Sequence, residues 1–118
     1  MTVRGIRGAT VVAADDRDLI LAGTKELLET VIAANDIAVD DIASIMFTMT
    51  PDLQSAYPAQ AARRLGWDDT PLLGAVETEV PGGLPRCIRV LMHVNTDRAA
   101  ATIQHVYLHG AQILRPDL

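Results

Sequence analysis

Charged side chains interrupt segments of this sequence that otherwise alternate like buried β-strands. The clearest case is CIRVLMHV, residues 87–94, in which the even-numbered positions from Ile88 to Val94 would line one apolar face. Arg89 stands on the other face. A guanidinium keeps its proton at neutral pH, and burying it without a partner is very unfavourable. The pattern therefore predicts that Arg89 faces an anion.

Similar interruptions occur at Arg7 in the first predicted strand, Glu77 in the third and Tyr107 in the fifth, with Arg63 on a short helix and Arg115 near the end of the chain. For any single one of them, an ordinary polar residue on a half-exposed sheet face is the simpler interpretation. If they converge, the arginines could hold carboxylates in a bidentate fashion, while the glutamate accepts a hydroxyl hydrogen bond and the tyrosine donates one. Such a set would form a pocket for a hydroxylated dicarboxylate.

Other chemistry has weaker candidates. His105 and His109 are four residues apart, and on a strand they would share a face but lie roughly 13 Å apart, so no shared metal is expected. Cys87 is most simply a small buried hydrophobe. No serine or cysteine stands in a recognisable nucleophile motif, and PGGLPR is too short and wrongly placed for a phosphate-binding loop.

Composition narrows the class of protein. The chain has 118 residues, is 49% hydrophobic and carries a net charge of -5, which argues against nucleic acid as a partner. No segment has the ~20 apolar residues of a membrane span or a signal-peptide apolar run, so we expect a cytoplasmic protein that does not bind membranes. A domain of this size buries only about two-thirds of its unfolded surface, which favours an oligomer.

The elements that must position these residues follow the order β–α–β–α–β–β–β. This order predicts an α+β, or mixed α/β, fold in one domain covering residues 1–118. A long amphipathic helix over about 16–34 has an acidic cap, and a short helix is bounded by Pro58 and Gly66. The predicted strands cover residues 3–12, 42–51, 71–80, 87–94 and 105–115, the last ended by Pro116.

Several segments together resemble one family. They are RGIRGAT, TPDLQSAYPAQAAR, GGLPRCIRVLMHVNTD, HVYLHGA and LRPDL. In this order they resemble the monofunctional chorismate mutases of the trimeric AroH type, found in Bacillus and other bacteria. The resemblance runs from residue 3 to residue 118 and is far more specific than any single motif.

The resemblance implies both an architecture and a reaction. The architecture is a mixed five-stranded sheet packed against helices, three subunits forming a pseudo-α/β-barrel, and active sites in clefts between neighbouring subunits. The reaction is the rearrangement of chorismate to prephenate on the route to phenylalanine and tyrosine. It is pericyclic and needs no proton transfer, nucleophile, metal or cofactor, so positioning and preorganised charge are the available means of catalysis.

The resemblance also implies residue roles. Arg89 would place its guanidinium at the ether oxygen, where negative charge develops. Glu77 would accept a hydrogen bond from the ring hydroxyl and face the positive charge that develops on the ring. Arg7 and Tyr107 would bind carboxylate. We therefore expect Arg89 and Glu77 to be the catalytic residues, with Arg7 and Tyr107 binding the substrate.

Further substrate-binding positions are implied in the same way. Arg63 and Arg115 would close over the substrate, with Arg115 in a mobile C-terminal segment, and Tyr57 would wall the ring. Gln60 stands where a well-known member has lysine. The remaining lining positions are Ala59, Leu73, Leu114 and Gly74, the last of which is a cysteine in that member.

Two other interpretations stay open at the level of sequence. One is a catalytically silent trimer that binds a small carboxylate as a sensor or scaffold. The other is a related trimeric sheet protein that acts on reactive imines or enamines. The joint presence of Arg7, Glu77, Arg89 and Tyr107 favours the mutase over both.

Overall fold

A computed structural model describes residues 2–115 of the protein. Its strands and helices follow the predicted order, with two further short 3₁₀ turns at Val39–Asp41 and Ala100–Thr102. We call the 3₁₀ helix His109–Leu114, after the last strand, the C-terminal 3₁₀ helix. The main elements are β1 (Thr2–Val11), α1 (Arg17–Asn35), β2 (Ile42–Met49), α2 (Ala59–Arg64), β3 (Leu72–Val76), β4 (Cys87–Thr96) and β5 (Val106–Tyr107).

The strands form one mixed sheet in the order β3-β2-β4-β1-β5. β4 lies at the centre and runs antiparallel to β1 and β2, whereas the edge strands β3 and β5 run parallel to β2 and β1. The prediction of a mixed five-stranded sheet with one long and one short helix is confirmed. A central strand has a hydrogen-bonded neighbour on each side, so its side chains are held most firmly.

Helix α1 begins where its acidic cap predicts. The side chain of Asp16 accepts a hydrogen bond from the backbone N–H of Leu19, which satisfies one of the unpaired donors of the first turn. At the other end, Asp36 adopts a left-handed conformation with φ 52° and its backbone N–H turns back toward Ala33 and Ile32. The apolar side of α1, including Leu27, lies against one face of the sheet.

The core lies between that face and the helices. Ile88, Val90, Met92 and Val94 are buried on β4, as the alternation predicts. Gly8 of β1 permits the close approach of α1. A Cβ at this position would lie 3.0 Å from the side chain of Val90, 3.1 Å from that of Leu27 and 3.3 Å from that of Val31, the last two on the helix. The opposite side of the sheet, which carries Arg89, is called the outer face below.

The predicted third strand is too long. β3 ends at Val76 instead of residue 80 because it is an edge strand that pairs with β2 alone, and β2 itself ends at Met49. The chain leaves the sheet just beyond Glu77, whose backbone N–H still donates to the carbonyl of Met49 at 2.8 Å. Residues 78–86 then form a loop.

The prediction of a fifth strand over 105–115 is wrong for most of its length. β5 contains only Val106 and Tyr107, and His109 has φ 53°, which directs the chain into the C-terminal 3₁₀ helix. This helix packs Ala111 against Ala9 and Cys87 and so covers part of the outer face. The strand-like pattern came from Ala111 together with Ile113, although Ile113 is 72% exposed and takes no part in this packing. Pro116, the predicted stop, lies outside the described residues.

Core packing by α1 gives a direct test of the fold. Leu27 is fully buried, whereas Leu19 on the same helix is 41% exposed. Leu27→Ala is expected to lower the free energy of unfolding by about 2–5 kcal/mol, because it removes buried methyl groups and leaves a cavity. The matched change Leu19→Ala should cost about 0.5 kcal/mol or less. Urea unfolding at one protein concentration measures both, and equal losses would contradict the packing described.

Candidate active site

Arg89 occupies the middle of the outer face. Its neighbours across the sheet are Ala9 of β1 and Thr48 of β2, and directly opposite residues share a face. Its side chain is 47% exposed. The prediction that Arg89 lies opposite the apolar side of β4 therefore holds. The guanidinium is held on a central strand but remains accessible.

Among residues 2–115, Glu77 is an anion that forms an ion pair with Arg89. Nε of Arg89 lies 3.1 Å from Oε1 of Glu77. The hydroxyl of Thr48 donates to the same oxygen at 2.6 Å. Because the glutamate side chain is 21% exposed and the arginine far more, the pair contributes little stability and mainly fixes the orientation of both groups. Thr48 was not predicted from the sequence, since finding it requires the pairing of β2 with β4.

The ion pair lies in a cavity of about 310 Å³ on the outer face. Its lining includes Leu114 from the C-terminal 3₁₀ helix and Val80 and Leu84 of the 78–86 loop. The cavity also contains the carboxylates of Asp52 and Glu79 beside that of Glu77, so its charge is unbalanced toward the negative. Glu77, Arg89 and Leu114, three of the predicted site residues, thus line one cavity.

Backbone and side-chain contacts fix the entry to β4. The backbone N–H of Thr50 donates to the carbonyl of Cys87, and the N–H of Cys87 donates to the hydroxyl of Thr50, both at 3.0 Å. The carboxylate of Asp52 accepts from the N–H of Arg86 at 2.9 Å. These contacts fix the position of Cys87 at the start of β4, and therefore the position of Arg89 two residues further along the strand.

Cys87 is buried, as expected of a small apolar residue, and it also lines the cavity beside Arg89. Burial raises the pKa of its thiol, and the nearby guanidinium only partly opposes that effect. The sulfur is therefore a neutral thiol at physiological pH, which fits a packing role better than a nucleophile.

Arg7 and Tyr107 lie on the outer face close to Arg89. Tyr107 is opposite Ala9, which is itself opposite Arg89, so the three residues form a row across β5, β1 and β4. Arg7 is two residues before Ala9, and diagonal cross-strand neighbours of this kind are about 7–8 Å apart. Arg115 is close enough to His105, beside Arg7, for its charge to affect that histidine.

A second group of predicted residues is not brought to this cavity within one chain. Tyr57 is 75% exposed, and Arg63 is exposed on α2, whose Ala61 and Ala62 pack into the core on the helix side of the sheet. Leu73 is exposed on edge strand β3, and Gly74 is paired with the buried Phe47 and so belongs to the helix side. The remaining member of this group is Ala59.

The histidines do not form a metal site among residues 2–115. The strand geometry assumed for His105 and His109 is wrong, because β5 ends between them. Nε2 of His109 is paired with Glu26 at 2.8 Å, and Nδ1 of His105 accepts from the backbone N–H of Arg7. In the part of the chain that is described, no three histidine, cysteine or acidic side chains are placed to hold a metal ion.

The arrangement belongs to a known family. The family model described as chorismate mutase type I matches residues 3–118, nearly the full chain. The chain therefore belongs to the chorismate mutase type I family, as the sequence resemblance implied. Within residues 2–115, no helix is both long and apolar enough to cross a membrane.

Individual relatives agree with the family assignment. The chain is 46% identical over 119 residues to the chorismate mutase AroH of Bacillus subtilis (strain 168), covering 100% of this chain and 94% of that protein. It is 50% identical over 117 residues to the AroH of Thermus thermophilus, covering 98% and 96%. The solved chorismate mutase from Clostridium thermocellum superposes with a TM-score of 0.92 at 50% identity, covering 93% of this chain and 98% of that one.

The environment of Cys87 predicts low thiol reactivity. Because the chain has one cysteine, a thiol reagent reports on this position alone. Burial and the raised pKa should make the folded protein react more than about tenfold slower at pH 8 than the same protein unfolded in urea. The reaction is followed by the absorbance of the released chromophore. Equal rates in the folded and unfolded states would contradict the buried position of Cys87.

Proposed function

We propose that the protein is a chorismate mutase that converts chorismate to prephenate, in the route to phenylalanine and tyrosine, and that it acts in the cytoplasm. Membership of the family and full-length similarity to proteins named chorismate mutase support this activity. The observation that carries the assignment is the Arg89–Glu77 pair inside an open cavity, in which Arg89 lies on the central strand β4 and Glu77 directly follows the edge strand β3.

The pair matches what a pericyclic rearrangement requires. As the ether carbon–oxygen bond of chorismate breaks, negative charge grows on the oxygen and positive charge grows on the ring. Arg89 would stabilise the oxygen with a charge that needs no proton from solvent, since guanidinium stays protonated. Glu77 would accept a hydrogen bond from the ring hydroxyl and face the positive charge. Their contact at 3.1 Å fixes both groups before the substrate binds.

The charges around Arg89 support one orientation of a dianionic substrate. The lining of the cavity includes Asp52, Glu77 and Glu79, and this acidic lining would repel carboxylates. Arg7 and Tyr107 lie on the other side of Arg89, along β1 and β5. We therefore place the substrate carboxylates toward Arg7, Tyr107 and Arg115, with the ring hydroxyl toward Glu77.

A second copy of the chain would complete the site. We propose a homotrimer in which Tyr57, Ala59, Arg63, Leu73 and Gly74 of one subunit face the Arg89 cavity of the next. The exposure of Tyr57 and Leu73, at 75% and 62%, supports an interface at this edge. Val3 and Met46 add exposed apolar surface on the outer face. Each subunit would then supply a different surface to two neighbours, as in a closed ring.

Turnover of chorismate is the direct test. Purified protein is mixed with chorismate, and loss of the diene absorbance is followed. Wild-type protein should accelerate the reaction, whereas Arg89→Met should lower kcat by at least about 10²–10³-fold, because the donor at the ether oxygen is lost. Folded protein that binds chorismate without turnover would instead support a silent carboxylate-binding trimer.

Two comparisons make that result specific. Arg17→Met changes an exposed arginine of α1 by the same substitution and should leave kcat near the wild-type value. Glu77→Gln should give a clear but smaller loss than Arg89→Met, because the amide keeps an acceptor but loses the charge. Near-normal kcat for Arg89→Met, with the oligomer intact, would mean that this charge is not the catalytic device.

Mixing two inactive variants tests the shared site. Arg89→Met protomers keep the α2 surface, and Arg63→Glu protomers keep the cavity. If each site takes Arg89 from one subunit and Arg63 from the next, equal co-expression should restore about one quarter of wild-type activity, because random closed rings contain that fraction of intact sites. Activity no greater than the mean of the two variants measured separately would show that one chain forms the whole site.

A further inference from the structure

β5 is very short for a strand that positions a proposed substrate-binding residue. It contains two residues at the edge of the sheet, yet it presents Tyr107. Its pairing with β1 is limited to Gly8 with Val106 and Ala9 with Tyr107. One further backbone bond follows, from the N–H of Leu108 to the carbonyl of Ala9 at 2.9 Å. Such a short ladder does not by itself fix the position of a side chain firmly.

On the N-terminal side of Val106, hydrogen bonds to side chains replace the backbone hydrogen bonds that would continue the pairing of β1 with β5. In a parallel pair with this register, the N–H of Arg7 would donate to the carbonyl of Gln104. That carbonyl instead accepts from the side-chain amide of Asn35 at 2.9 Å, and the N–H of Gln104 donates to the amide oxygen of Asn35 at 2.7 Å. The N–H of Arg7 donates to Nδ1 of His105 at 3.0 Å.

This arrangement requires one state of the imidazole. Nδ1 must carry a lone pair, so His105 must be neutral with its proton on Nε2. Burial lowers the pKa of His105, and the cations Arg7 of β1 and Arg115 beyond the C-terminal 3₁₀ helix lower it further. The end of α1 contributes Asn35, which is uncharged and 1% exposed. The surroundings therefore favour the form that accepts the hydrogen bond.

We propose that His105 is a positioning residue that holds the backbone of Arg7 against β5 through its neutral imidazole and so sets the separation of the Arg7 and Tyr107 side chains for one substrate carboxylate. This inference rests on the proposed function, since the carboxylate is that of chorismate. The side chain of Asn35, at the end of α1, holds the backbone of Gln104, the residue before His105. His105 acts on the substrate through Arg7 and makes no contact with the reacting atoms.

The role predicts a split between KM and kcat. His105→Leu removes the acceptor, so Arg7 shifts and KM should rise about tenfold to a hundredfold, as expected for a small displacement of a binding group. Arg89 and Glu77 are held by other strands, so kcat should stay within about threefold. His105→Asn keeps an oxygen acceptor as many bonds from the backbone as Nδ1, and KM should return to within about threefold of wild type.

The pH dependence gives a second measurement that does not depend on a variant folding. The pKa of His105 lies below its ordinary value, so the imidazole stays neutral above about pH 6.5 and gains its proton only at lower pH. In wild-type protein, kcat/KM should fall on the acid side as this proton is added and the bond from Arg7 is lost. This acid limb should be absent in His105→Asn, because an amide side chain gains no proton in this pH range.

The outcomes separate this inference from the proposed function. Wild-type protein that does not turn over chorismate would reject the function. Turnover by wild type with an unchanged KM in His105→Leu, or with His105→Asn as impaired as His105→Leu, would overturn the role of His105 alone. An acid limb identical in wild type and His105→Asn would also overturn it. If His105→Leu does not fold, as judged by circular dichroism, the pH dependence of kcat/KM in wild type and in His105→Asn still tests the role of His105.

Discussion

A permanent positive charge on the central strand of the sheet is the constraint on which the rest of this structure depends. Arg89 cannot be neutralised, so the outer face around it must stay open or supply anions. Glu77 and the hydroxyl of Thr48 form one such arrangement, and both come from the β2–β3 side of the sheet. Because the pair is partly exposed, it contributes little to the stability of the fold and mainly fixes the orientation of the two side chains. A substrate that develops negative charge at this point meets a donor that is already oriented.

The two faces of the sheet divide the tasks of folding and binding. The helix side contains the main core, where Phe47, Met92 and Leu27 are fully buried. Within residues 2–115, the outer face is covered only in part, by Ala111 of the C-terminal 3₁₀ helix and Leu84 of the 78–86 loop. A fully packed outer face would leave no cavity beside Arg89, whereas a bare one would expose more apolar surface than a small chain tolerates. The proposed association of subunits over this face and its β3 edge would resolve that conflict.

The sequence predicted those parts of the structure that depend on local pattern. The acidic cap of α1 and the alternation on β4 are local signals, and the structure confirms both. The convergence of Thr48 with Glu77 depends on strand register, which periodicity does not contain. The last strand was predicted wrongly because Ala111 and Ile113 alternate as in a strand, yet Ile113 is 72% exposed and the packed residues are Ala111 and Leu114, three apart. The left-handed turn at His109 leaves no clear signal in the sequence. The roles of individual site residues came from resemblance to the family and not from pattern.

Charge distribution links these features to the direction in which the substrate binds. The chain is acidic, at -5, and its cavity contains Asp52, Glu77 and Glu79, so a dianion is repelled from most of the surface. The row from Tyr107 through Ala9 to Arg89 continues to Thr48 beside Glu77, and therefore runs from the cationic side of the face to the anionic side. A substrate with carboxylates at one end and a hydroxyl at the other matches that gradient in one orientation only. In the proposed orientation, breaking the ether bond would move electrons toward Arg89 and leave positive charge near Glu77, so the gradient that orients the ground state would also be complementary to the transition state.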